Sequence, residues 1–276
     1  MQQILQAINS GGFTPLDVSA ERVVSAGARA QLSVVNPSDF ALKIEDGAIV
    51  DLVMLHGGSD NASLTIRLGR GAKVNVTDIY TGTAAVALHI VHGQESQSKV
   101  VAVSLGLSTI NFDVQLCGPG AFSELYTLQM GSQKDKNSLM INMRHMSPDC
   151  SSRSLSKCVA SGESSLRFEG LVYVAHDAQR TAAEQNCRSI ELSDSAHIVA
   201  RPQLEIYADD VKCSHGATMG QVDADAIFYL RQRGLSQAQA RRVQMEGFVA
   251  DVVRRCEIES ICEPLIEVVA QKLESM

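Results

Sequence analysis

Between about Leu16 and Gly220 the chain alternates apolar and polar residues with a period of two, and glycines punctuate the alternation. Ala28-x-Ala30-x-Leu32 follows Gly27, Ala48-x-Val50-x-Leu52 follows Gly47, and Ala72-x-Val74-x-Val76 follows Gly71. Ala121-x-Ser123-x-Leu125 follows Gly120, and Ala196-x-Ile198-x-Ala200 recurs later. Alternate residues of an extended chain share one face, so each unit reads as a strand with one apolar side. Successive glycines lie 20, 24 and 49 residues apart, the last offset being about two turns of the same length. A period in the twenties, built from Gly-Ala turns and strands, is the signature of a solenoid. Helical repeats would need a period of 3.6, and leucine-rich repeats an Asn ladder that is missing here. A parallel β-helix or a related layered β-solenoid remains, with a sandwich carrying coincidental Gly-Ala turns as the alternative. No coil can bury its apolar face alone; stacking at about 4.8 Å completes both the hydrogen bonds and the core. The expectation is one continuous β-helix from about residue 20 to 220, without a second core. Its final coils should meet edge to edge in a dimer, because an open end exposes unpaired backbone groups.

The flanks follow a different period. Met1 to Ser10 fits a short helix with Ile4, Leu5 and Ile8 on one side, ended by Gly11-Gly12. After Gly220, Asp223 can cap a helix running through Gln232, with Gly234 at its C′ position. Ser236-x-x-Gln239 is a capping box. It opens a helix whose Ala240, Val243, Gly247 and Ala250 form one stripe, with Met245 and Phe248 off that stripe and Arg241 facing outward. A third helix is expected from about Pro264, at a first-turn position, to Leu273. The chain thus divides into a short helical segment (1–15), a parallel β-helix (16–220) and a small helical region (221–276). Helices there can serve as a cap for the last coil. Two capped helices and a third segment exceed what one coil requires, and apolar surface beside Arg241 and Glu246 suits a docking site.

Composition narrows the function classes. The 276 residues are 45% hydrophobic but only 4% aromatic, with no Trp, which suits stacked strands. A net charge of −7, with no Lys/Arg cluster beyond a pair, argues against a nucleic-acid or acidic-membrane surface. The N-terminus lacks a basic signal-peptide region, and no apolar run approaches a transmembrane length. Seven irregularly spaced cysteines make no disulfide framework, and no CxxC pair occurs. A reducing, cytoplasmic setting is the natural expectation.

The sharpest chemical pair is Cys213 and His215 in VKCSH. On a strand they project to one face, roughly 7 Å apart, while Ser214 points away. A thiolate and an imidazole together can hold iron, another transition metal or a cluster edge. Two ligands do not complete such a site, so a partner must supply the rest or the site is transient. The competing reading is a packed thiol and a hydrogen-bonded structural histidine. Cys150, Cys158 and Cys187 read as buried core thiols. Asp209-Asp210 invites comparison with the carboxylate pairs of glycan-cleaving β-helices, but neighbouring strand residues point to opposite faces, so a turn role fits better. A glycan-binding or glycan-cleaving β-helix stays open as the alternative function. No nucleotide-binding or hydrolase motif is present, and the chain reads as a non-enzyme.

YADDVKCSHGAT (residues 207–218), the IFYLRQRG run that follows, HDAQRTAAEQ (176–185) and ELSDSAHIVARPQLEIYADD (191–210) resemble the SufB/SufD family of iron–sulfur cluster assembly scaffolds. The resemblance continues through LRQRGLSQAQARRVQMEGF (230–248) and is strong over about the last 110 residues. Asp194-Ser195 stand where the SufB type places a cysteine before the counterpart of Ala196-His197, and His215-Gly216 replace its His-Glu. The chain therefore looks like the SufD type. The resemblance implies a right-handed parallel β-helix, pairing with a SufB-type paralogue and binding of a SufC-type ATPase. It also implies Cys213 and His215 as interface ligands for iron or a cluster shared transiently with the partner, with no nucleotide on this chain. The expected ATPase-docking residues are Ser236, Arg241, Met245 and Phe248. An isolated chain is expected to pair with itself. Family members usually carry a further N-terminal helical region, for which little room exists here.

Overall fold

The computed structural model describes residues 1–16, 18 and 21–276. Among the described residues, helix α1 (Gln2–Ser10) precedes seventeen strands. They are β1 (Thr14–Pro15), β2 (Arg22–Val24), β3 (Arg29–Val35), β4 (Phe40–Ile44), β5 (Ile49–His56) and β6 (Ser59–Leu68). Next come β7 (Lys73–Tyr80), β8 (Thr83–His92), β9 (Gln97–Ser104), β10 (Leu107–Leu116), β11 (Phe122–Gly131) and β12 (Lys136–His145). The last are β13 (Ser151–Ala160), β14 (Ser165–Val174), β15 (Thr181–Glu191), β16 (His197–Ile206) and β17 (Val211–Gly220). Helices α2 (Ala224–Gln232), α3 (Gln237–Val253) and α4 (Glu259–Glu274) close the chain. Odd-numbered strands form a nine-stranded sheet and even-numbered strands an eight-stranded one, each stacked in chain order. Every pairing is parallel. This is a parallel β-helix of two sheets facing each other across an apolar lumen.

The Gly-Ala turns build one corner of the stack. Gly27, Gly47, Gly71 and Gly120 all have φ between +62° and +73°, a region that L side chains resist. The same corner continues through Glu95, Asp149 and Arg180, each left-handed without being glycine. One hydrogen-bond ladder joins the set: Gly71 N–H donates to Gln94 O, Glu95 N–H to Pro119 O, Gly120 N–H to Pro148 O, Asp149 N–H to Gln179 O and Arg180 N–H to Asp210 O. Glu95 is thus the turn hidden inside the 49-residue interval. The residue after each corner points into the lumen: Ala48, Ala72, Ser96, Ala121 and Cys150 are fully buried there. Cys150 is a repeat-turn residue, which accounts for it as a core thiol.

A second apolar layer lies outside the lumen, contrary to the expectation of a single core. The outer face of the odd-strand sheet presents Val53, Ile79, Val101, Val103, Tyr126, Leu128 and Val159, and α1, α3 and α4 pack over it. Strands covered on both sides read as continuous apolar runs, and DLVML (51–55) and KVVAV (99–103) do so. The even strands, such as β8, keep strict alternation because their outer face meets water. The C-terminal helices therefore sheathe a flank and leave the last coil uncapped.

Local signals for the helices hold in detail. The Asp223 carboxylate accepts from the N–H of Asp225 and Ala226, Ser236 and Gln239 form a complete capping box, and Gly234 has φ +97°. Two helix expectations need correction. The stripe on α3 is only partly as expected: Ala240 is buried, but Met245 is 4% exposed and Phe248 packs against the sheet layer, whereas Val243 is 46% exposed. Helix α4 starts at Glu259, and Pro264 lies inside it. Burial of Ile261, Leu265 and Val269 on the sheet fixes the earlier start.

Candidate metal-ligand site at the open end

Strands β16 and β17 are the last of their sheets, each paired on one side only. Cys213 is in register with Ala183, and His215 with Gln185. Ala183 and Gln185 point into the lumen, so Cys213 and His215 share its inner face at the open mouth. Cys213 is half-buried against the lumen core, and that burial pushes its thiol up despite a hydrogen bond from the Ala183 backbone. His215 is exposed. Tyr207 and Met219 add exposed apolar surface to the same end. Among the described residues no group of three or more His, Cys, Asp or Glu side chains converges as a metal site.

Asp209 and Asp210 are exposed turn residues. Asp210 N–H donates to Gln179 Oε1 at 3.0 Å, and its carbonyl accepts from Arg180 N–H. They complete the last corner of the ladder.

The site residues expected on α3 divide. Ser236 is engaged as the helix cap. Arg241 is exposed and lines a recess of about 360 Å³ together with Met245, Leu192, Val222 and Leu273. Met245 and Phe248 hold the helix to the sheet. Exposed apolar side chains nearby are Phe228 (62%) and Tyr229 (58%) on α2 and Val243 on α3. Among the described residues no helix is long and apolar enough to cross a membrane.

Sequence reasoning missed three buried histidines. His56 Nδ1 lies 3.1 Å from Asp60 and Nε2 3.0 Å from Asp78, while Tyr80 stacks on its ring at 4.3 Å and donates its hydroxyl to Asp78 at 2.5 Å. Burial alone would lower the His56 pKa, but the two carboxylates override it and the net shift is upward. His92 is bracketed by Ser96 and Ser98, each at 2.9 Å, and His145 Nε2 contacts Ser152 at 2.8 Å. Burial pushes both to about 4. The signal was available: each of the three closes a strand, at the point where the chain leaves the lumen face. Cys158 and Cys187 also lie in the lumen, on neighbouring strands. Their hydrogen bond drives Cys158 well up and Cys187 down.

The architecture defines a class: a parallel β-helix with its last coil unpaired and helices along one flank. The chain belongs to the SufB/SufD core family, because the family described as "SUF system FeS cluster assembly, SufBD core domain" matches residues 24–248. It is of the SufD type. It is 33% identical over 163 residues to the iron–sulfur cluster assembly protein SufD of Escherichia coli, covering 59% of this chain and 38% of that protein. It is 32% identical over 239 residues to the chloroplastic protein ABCI7 of Arabidopsis thaliana, covering 82% and 50%. It is 28% identical over 269 residues to SufD of Bacillus subtilis, covering 88% and 53%. The chain spans about half the length of these curated relatives, or less.

Proposed function

We propose that this protein is the SufD-type scaffold subunit of a SUF iron–sulfur cluster assembly complex, without catalysis of its own. The open last coil is the surface that pairs with a SufB-type paralogue. Cys213 and His215 contribute ligands there to the cargo, iron or a nascent cluster held transiently between the subunits. The observation that carries this reading is their placement on the inner face of a terminal strand whose outer edge has no partner. Two donors fall short of the four that iron–sulfur chemistry takes, so a site shared across the junction is what this geometry supports. A SufC-type ATPase docks on the helical flank, where Phe228, Tyr229, Val243 and Arg241 face outward. Met245 and Phe248 support that surface from beneath. Closure of two ATPase subunits then shifts the paired β-helices, provided that the contacts differ between nucleotide states.

The test is a reconstituted complex of the three proteins, with cluster formation followed by absorbance. His215→Ala is expected to lower cluster yield severalfold while leaving complex size and melting temperature unchanged, and Cys213→Ser to do the same. Full yield from the double variant would remove both residues from the cargo path.

A further inference from the structure

The lumen changes character along the stack. On β5 and β7 the odd-strand sheet lines it with Val50, Leu52, Val74 and Val76, whereas on β13 and β15 it carries Ser154, Cys158, Gln185 and Cys187. Buried polar groups ordinarily find partners. Neither amide atom of Gln185 has one, nor does Gln129 Nε2. Gln185 is fully buried, and the facing strand makes room for it: a Cβ on Gly170 would lie 2.6 Å from its Nε2. Two unspent amides are therefore held inside the β-helix.

Two thiols lie beside them. Cys158 is in register with Ser189, and Cys187 precedes Ser189 by two residues on the same inner face. Cys158 Sγ is 3.8 Å from Gln129 Oε1, and Cys187 Sγ is 3.8 Å from Ser189 Oγ. A diagonal of one strand spacing and two residues separates the two Cα atoms by about 8 Å. That exceeds the reach of a disulfide, while both buried side chains enter the same stretch of lumen from neighbouring strands.

We propose that Cys158 and Cys187 form a two-thiolate site for a soft monovalent cation of the Cu(I) type, solvated by the side chains of Gln129, Gln185 and Ser189. Each thiol gives its proton to solvent and forms one sulfur–metal bond, with no change of oxidation state. The resulting anion needs donors, and the free amide N–H groups and the serine hydroxyl supply them. Soft thiolates select Cu(I), and a linear pair suits it, whereas zinc takes four ligands. Entry is from the open mouth. The residue in register above Cys187 is Ala217, next to Gly216, so no bulky side chain stands over it. The site shares no residue with Cys213 and His215 and stands whether or not those two bind cargo.

The experiment uses the full chain with Cys117, Cys213 and Cys262 changed to Ser, which removes the accessible thiols. Anaerobic Cu(I), supplied as its acetonitrile complex, is titrated against a colorimetric chelator. One tight equivalent per chain is expected, with two protons released. Cys158→Ser and Cys187→Ser should each weaken it about 100-fold and Gln185→Leu about tenfold, while Cys150→Ser leaves it unchanged. No tight equivalent in that background, or its retention in Cys187→Ser, overturns the site. A measurement on the unsubstituted chain is independent of variant folding: X-ray absorption at one copper per chain should show two sulfur neighbours. A nitrogen neighbour would place the ion at His215 and overturn the proposal equally.

Discussion

Lys157 Nζ lies 2.8 Å from Asp251 Oδ2, joining the outer face of the β-helix to helix α3 through a side chain that is 4% exposed. The same ammonium donates to the Phe248 carbonyl at 2.8 Å and sits 4.3 Å from the Phe248 ring centroid. Burial would raise the Asp251 carboxyl, but the lysine's hydrogen bond and charge bring it below the usual range. Asp251→Ala strands a buried charge, whereas Lys157→Met replaces it with apolar volume. Because Asp251 is itself partly exposed, we expect Asp251→Ala to cost about 2 kcal/mol and Lys157→Met less. Urea unfolding, with proteolysis of the segment after Gly220 as a local probe, checks the order; a larger loss from Lys157→Met would contradict it.

The histidines give stability two pH limbs of opposite sign. His92 and His145 titrate near 4 in the fold and near 6.5 when unfolded, so between those values only the unfolded chain takes up their protons. Stability should fall as pH drops from 6.5 to 4, by roughly 3 kcal/mol per histidine. His56 is raised instead, so its contribution is complete below pH 6.5 and is lost as pH rises through its folded value. The His92→Asn/His145→Asn double variant should flatten the acid limb, and His56→Asn the alkaline one. Urea midpoints across pH 4 to 9 read both, and an acid limb of undiminished slope in the double variant would refute the assignment.

The corner ladder makes a paired prediction. No heavy atom lies within 4 Å of a Cβ built on Gly47, so Gly47→Ala should cost only the left-handed penalty, about 1–2 kcal/mol. Glu95→Gly, at the equivalent corner, should be neutral or stabilising. If thermal melts rank the two in the opposite order, the shared backbone role fails.

ATPase docking is best tested on the intact chain. A version ending at Gly220 would expose Val101, Tyr126 and Leu128, which α3 and α4 cover. Val243→Asp and the Phe228→Ala/Tyr229→Ala pair should instead weaken calorimetric binding of the ATPase at least tenfold without lowering the melting temperature. Unaltered affinity in both would move the docking site elsewhere.

The β-helix was legible because Gly27, Gly47, Gly71 and Gly120 announce positive φ in the residue type itself. The same conformation at Glu95, Asp149 and Arg180 was not, since the neighbouring coil imposes it on residues with no such preference. The Cys213–His215 alternation was legible from strand geometry. Its place in the final coil followed from the expected bounds of the β-helix; that the C-terminal helices leave this coil uncovered did not, because it depends on the surface they pack against. The doubly apolar odd strands carried the answer: KVVAV cannot face water on one side. The burial of Met245 was not legible for the same reason, since a stripe on α3 has no direction until the surface it covers is known. Gln129 and Gln185 left no local sign, for an amide in an alternating strand reads the same in a lumen as at a surface.

The uncapped last coil sets a limit on growth. In the terms of polymer chemistry, a unit with two reactive ends propagates and a unit with one terminates. Strands β16 and β17 offer ten-residue edges, while at the other end β1 and β2 are only two and three residues long. So short an edge is a poor template for another strand. Under the pairing proposed above, joining through the long edge consumes the longer of the two described edges of each participant, which favours a closed pair over a filament.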